Sequence, residues 1–196
     1  MNRSFSGIVV SALLSASGSS CDRAAAPDQR LPFQIKATIR DLMDSEIDPS
    51  ADFVWASVAS VSRQSGFEDR QPHTDEEWAE VRRKAIVLVE STNLLVMPGR
   101  RVASSYIAPR SAGELDSDEI QKRIDATPTA FAALAQVLHV AGLRALDAID
   151  ARDVAQLLES GGTIDAACEA CHTTYWYPDT TPSDRIHPLD PSRPKP

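Results

Sequence analysis

Cysteine is scarce in this chain, with three residues in 196, at positions 21, 168 and 171. No disulfide framework can be built on that number, so an apolar core must hold the fold. The 42% hydrophobic content is enough for one domain of ordinary size. Histidine is almost as rare, at four; His73, His139 and His187 lie in unrelated contexts, which leaves a tetrahedral zinc site short of ligands. Basic residues are outnumbered 20 to 28, for a net charge of -8. That balance argues against nucleic acid and gains little from anionic lipid, so a basic or neutral partner fits better. Strand-like alternation and internal repeats do not stand out. No grouping of nucleophile, base and orienting acid is visible either, so an all-α protein that is not an enzyme is expected.

Long apolar runs are missing too. The N-terminus offers one positive charge in Met1-Asn2-Arg3-Ser4-Phe5, then Ile8, Val9, Val10, Leu13 and Leu14, then small residues. This is a signal-peptide layout, well short of the ~20 apolar residues that cross a bilayer. No later stretch is expected to come closer. Residues 1–26 are read as the signal, with two processing routes open. Gly18-Ser19-Ser20-Cys21 resembles a bacterial lipoprotein box with Gly in place of the usual Leu, which makes Cys21 a lipid-anchor site. Alternatively, cleavage near Ala24, Ala25 and Ala26 discards Cys21 or leaves it as an unpaired thiol. Both routes place the mature protein outside the cytoplasm, in the periplasm, and assign the two remaining cysteines to one cluster.

Helical spacing dominates from Phe33 onward. Ile35, Ile39, Leu42, Met43 and Ile47 form one stripe; Asp48-Pro49 interrupts it, and Phe53, Val54, Val58 and Val61 carry it on, giving one kinked helix or two joined ones. Residues 64–73 are polar, with Gly66 and Pro72, and are expected to form a loop. Thr74 and Glu77 match a capping box for a helix through Trp78, Val81, Ala85, Leu88 and Leu95 to the stop at Pro98-Gly99. A long connection follows between Arg100 and Asp116. Ser117 opens a further pattern that Thr127-Pro128 kinks or restarts, and the long face Phe131, Leu134, Leu138, Ala141, Ala145 and Ile149 follows. The last helix begins near Asp150, is weakened at Gly161-Gly162, and ends near Pro178. Residues 179–196, with five prolines, form an extended tail, so the folded domain spans 27–178.

Chemistry concentrates in Cys168-Glu169-Ala170-Cys171-His172. Cys-x-x-Cys-His is the attachment signature for haem c. On a helix, positions i, i+3 and i+4 share a face, so both thiols can add to the vinyl groups at one porphyrin edge while the imidazole reaches the iron. A thioredoxin-like pair calls for a βαβ setting, and a plain disulfide leaves the histidine unexplained.

With this motif on the last of four helices, the sequence from Phe33 to Tyr177 resembles the class II cytochromes c, the family that includes cytochrome c-prime. The resemblance implies an antiparallel four-helix bundle with one covalently attached haem c on the C-terminal helix. It also implies thioether bonds at Cys168 and Cys171, a proximal ligand at His172, and a tendency to pair as a homodimer. A first-helix residue meets the distal face in that family, and Met43 is in about that place. Its thioether is read as the second axial ligand, against the alternative that it only fills the core. Met97 and His139 are the competing candidates, read as helix-end packing and a core-margin histidine. Tyr175-Trp176-Tyr177 can cover the proximal face or seal the bundle end. The tyrosine-rich run departs from the basic residue that tends to follow the histidine closely in cytochrome c-prime, which weakens transfer of gas-binding behaviour. The expected role is electron transfer between redox partner proteins; the alternatives are a five-coordinate NO or CO binder and a haem subunit of a larger respiratory complex.

Overall fold

The computed structural model describes residues 34–63, 66–110 and 113–179. The stretch 1–26 read as a signal, with Cys21, and the stretch after 179 read as a tail lie outside the described residues. Helix starts follow local chemistry, with a side chain accepting from the first N-H groups of α1, α3, α4 and α6. Thr38 and Asp41 form a reciprocal capping box for α1 (Ile39–Leu42), which passes through a π-helical turn (Met43–Ile47) into α2 (Asp48–Ser57) as one continuous rod. Thr74 and Glu77 do the same for α3 (Asp75–Leu95). Asp116 caps α4 (Ser117–Ala126), Pro128 starts α5 (Pro128–Asp150) at a position where its missing N-H costs nothing, and Asp153 caps α6 (Val154–Tyr175).

The apolar stripes close on one another. α3 packs along α5, α5 along α6, and the first rod bridges α3 and α6. Contacts between opposite ends fix the directions. Arg82 near the start of α3 pairs with Asp150 at the end of α5 (2.7 Å), and Trp55 late in the first rod bonds Gly161 in the first half of α6 (3.0 Å). The result is an antiparallel four-helix bundle with up-down-up-down connectivity. The seam between α3 and α5 is tight. Ala85, Ala141 and Ala145 are buried there, and a Cβ added at Gly142 would lie 2.8 Å from Val89 Cγ2.

Three expectations need correction. The first rod ends at Ser57, and Val58 is already extended (φ -132°, ψ 131°). Residues 64–73, read as a loop, instead contribute a strand. β1 (Ala59–Arg63) and β2 (Gly66–Arg70) form an antiparallel hairpin with Ala59 opposite Arg70 and Arg63 opposite Gly66. Two valines three residues apart cannot fix a period, and pairing satisfies backbone groups that a bare loop leaves to solvent. The third correction concerns apolar length: α5 is long and apolar enough to cross a membrane by length and composition, with a mean hydropathy of 1.4 over its best window. Here it is the bundle helix that packs against both α3 and α6.

The connection after α3 is long, as expected, but it is clasped to the first rod. Arg101 and Val102 carbonyls accept from the Ile39 and Arg40 N-H groups (2.8 and 3.1 Å). Arg40 pairs with Glu114 (3.0 Å), both nearly buried, and Arg110 pairs with Asp44 (2.9 Å) at the surface.

Candidate functional site

α6 runs through Gly161-Gly162 without a break, and it does so because the glycines make room. Trp55 of the first rod lies against Gly161, donating its indole N-H to the Gly161 carbonyl (3.0 Å), and a Cβ at Gly161 would sit 3.0 Å from Trp55 Cδ1. About two turns further on, Cys168, Cys171 and His172 turn toward a cavity of about 190 Å³ between the first rod, α5 and α6. Met43 and Trp55 line it from the first rod, Phe131, Leu134 and Leu138 from α5. The motif and Met43, separated by more than 120 positions in the chain, therefore share one chamber.

Neither Cys168 nor Cys171 is in a disulfide. Burial pushes the Cys168 thiol up to about 12, with the nearby Asp165, Cys171 and Asp48 adding to it, and burial alone pushes Cys171 to about 12. Both are therefore neutral thiols at physiological pH. A low-pKa redox pair or a thiolate metal site needs the opposite environment. Among the described residues, no group of three His, Cys, Asp or Glu side chains converges to hold a bare metal ion.

The competing ligands are elsewhere. His139 Nδ1 lies 2.8 Å from Thr92 Oγ1 and 3.2 Å from the Val89 carbonyl, a histidine satisfied at the α3–α5 seam. Met97 accepts from the Arg100 guanidinium (3.2 Å) just beyond the end of α3. The aromatic run divides its work. Tyr175 is buried edge-on to Phe131 with its hydroxyl 3.0 Å from Thr127 Oγ1, sealing the bundle end, while Trp176 meets the His172 ring edge-on at 5.9 Å. Sequence reasoning missed Trp55 as a wall of the chamber and Asp48, Asp165 and Glu169 along its lining. A pair of glycines inside a strong helix was the available signal, since a residue that weakens a helix by ~1 kcal/mol usually has a packing reason.

No family model matches the chain, and no curated protein does. Among solved structures it is similar to nitric oxide complexes of cytochrome c prime from Alcaligenes xylosoxidans. A variant with isoleucine at a leucine position is 20% identical, and one with valine there is 19% identical. Each alignment covers 72% of this chain and 98% of the other, with a TM-score of 0.45. The bundle assignment stands on this chain's own helix contacts.

The donor set can be tested against a haem. Two neutral thiols three residues apart, an adjacent imidazole, a thioether and a mainly apolar lining are the chemistry that attachment and axial ligation require. The enclosed volume is below the ~300–1,000 Å³ of a typical small-molecule pocket. A group of porphyrin size therefore fits only with part of it projecting from the bundle or with the walls drawn apart. The residues fit the group.

Proposed function

We propose that the chain is an exported c-type cytochrome carrying one haem c and acting in electron transfer. The observation that carries this reading is the shared chamber of Cys168, Cys171, His172 and Met43. When bound, haem supplies one-electron chemistry by cycling between ferric and ferrous iron. Cys168 and Cys171 hold it through thioether bonds, which need the sulfur as a thiol at the start and leave no sulfur free to pair. His172 is the proximal ligand, with Trp176 restricting the tilt of its ring. Met43 is the distal ligand, and its thioether favours the reduced state. Asp48 and Asp165, along the same lining, oppose it by favouring the more positive oxidised iron. Phe131, Leu134 and Leu138 keep water from the iron and so limit reorganisation on electron transfer.

A second reading, a five-coordinate binder of NO or CO, is favoured by one feature: Met43 also packs against the apolar core, as a methionine with no ligand role does. Mass spectrometry of the chain exported with a haem-attachment system is expected to give one haem adduct, lost in a Cys168→Ser and Cys171→Ser double variant. A colourless chain would sink the proposal. The absorption spectrum then separates the two readings. Low-spin six-coordinate features with a far-red thioether band, abolished by Met43→Ala, support electron transfer, whereas high-spin features unchanged by that substitution support gas binding.

A further inference from the structure

One turn of the first rod is built unlike the rest. In Met43–Ile47, which is the sole π-helical segment among the described residues, the Asp48 N-H bonds the Met43 carbonyl five residues back. Such a turn carries one residue more than the α-helix it replaces. Pro49 follows immediately. In a continuous α-helix its ring would press on the Ser45 carbonyl and it would have no N-H to give it, and a widened turn relieves that conflict.

The extra residue turns everything before it by roughly 100° about the rod axis. Without it, the spacing from Ile47, Ala51 and Val54 hands an inward position to Arg40 and turns Leu42 outward. With it, Ile39 and Leu42 join the apolar core, and Arg40, also buried, is turned toward Glu114 and pairs with it. Met43 moves in the same rotation. Met43 and Trp55 are twelve positions apart, which in an unbroken α-helix sets them roughly 120° apart. The inserted residue brings them to nearly one side, and both line the chamber with Cys168, Cys171 and His172. Trp55 touches Gly161 of α6, so that shared side is the α6 side.

We infer that the π turn, made tolerable by Pro49, is a positioning device that presents Met43 to the chamber. Pro49 is thus a positioning residue acting through Met43. The two ion pairs from Arg40 to Glu114 and from Asp44 to Arg110 flank Met43 in the chain and tie the turn to the connection after α3. The inference rests on the haem reading only for what Met43 faces, not for how it comes to face it.

The test removes the extra residue and the proline together. In the full exported chain, the exposed Ser45 is deleted and Pro49→Ala is introduced. Deleting one residue from an α-helix turns its halves against each other by roughly 100° and ruins the packing of one of them. Here the deletion instead lets one α-helix run from Ile39 to Ser57, with Ile39 and Leu42 still inward and Met43 still on the α6 side. The expected result is a folded bundle with a thermal midpoint at or above that of the wild type, the wild-type absorption spectrum, and Met43 in the chamber in its crystal structure. A variant that unfolds, or folds with Met43 outside the chamber, overturns the inference. Deleting Ser45 while keeping Pro49 should lower the midpoint, because an α-helix must then close over the ring; an equal midpoint would remove Pro49 from the device. A chain that takes up no haem refutes the functional reading, yet its midpoint and the position of Met43 still decide this one.

Discussion

α5 takes part in two contacts of opposite character. Against α3 its C-terminal half offers Ala141, Gly142 and Ala145, and the helices close until there is no room for one more methyl. Near its N-terminal end Phe131, Leu134 and Leu138 face the first rod and α6, and a chamber remains. Small residues let two helix axes approach, whereas large ones prop them apart and leave space that the apposed side chains do not fill. The same helix therefore anchors the bundle at one place and holds it open at another.

Truncation should separate the two regions most sharply. Leu88, fully buried at the base of the tight seam, is expected to lose about 2–5 kcal/mol on Leu88→Ala. Leu134, which already borders open volume, should lose under about 1 kcal/mol on the same change because little new cavity is made. Urea unfolding monitored by circular dichroism reads both, and equal losses would erase the distinction. Glycine replacement gives a finer test with opposite signs. Gly142→Ala drives a methyl into Val89, and the overpacking, about 1–3 kcal/mol, outweighs the ~1 kcal/mol helix-propensity gain. Gly162→Ala meets nothing within 4 Å and should stabilise by up to about 1 kcal/mol. The thermal midpoint should fall in the first variant and rise in the second.

The smallest effect expected is an acid dependence set by the helix starts, outside both regions. The backbone N-H of Thr38, then its hydroxyl, hold the Asp41 carboxyl, and the backbone N-H groups of His73 and Thr74 hold the Glu77 carboxyl, below their ordinary values. A depressed carboxylate contributes stability above its unfolded pKa and loses it as pH falls through the folded one, here from about pH 4 downward. Asp41→Asn and Glu77→Gln should flatten the acid limb of a midpoint-against-pH curve. An unchanged limb would place the acid sensitivity elsewhere.

Much of this arrangement was legible in the residues. Thr74 with Glu77 fixed the start of α3 to the residue, because a capping box is local chemistry that nothing distant overrides. Cys168, Cys171 and His172 declared their shared face through spacing alone. Met43 was read on a less complete basis. Its place in the first stripe was visible, but the one-residue insertion that turns it toward α6 was not, since Asp48-Pro49 reads equally as a kink or a restart. The hairpin escaped because Val58 and Val61 fit either period. Trp55 escaped because its importance lies in Gly161, more than a hundred positions away, and the pairing of Arg40 with Glu114 was hidden by the same kind of distance.

The enclosure of the two thiols also bears on the order in which the molecule is made. In the docked helix both sulfurs are half-buried and share their cavity with Phe131, Leu134 and Trp55, so a bulky reagent meets them less freely there than on a loose helix. If α6 carries the proposed haem, attachment is easiest before that helix docks against the other three. On that reading, maturation and the closing of the bundle are coupled.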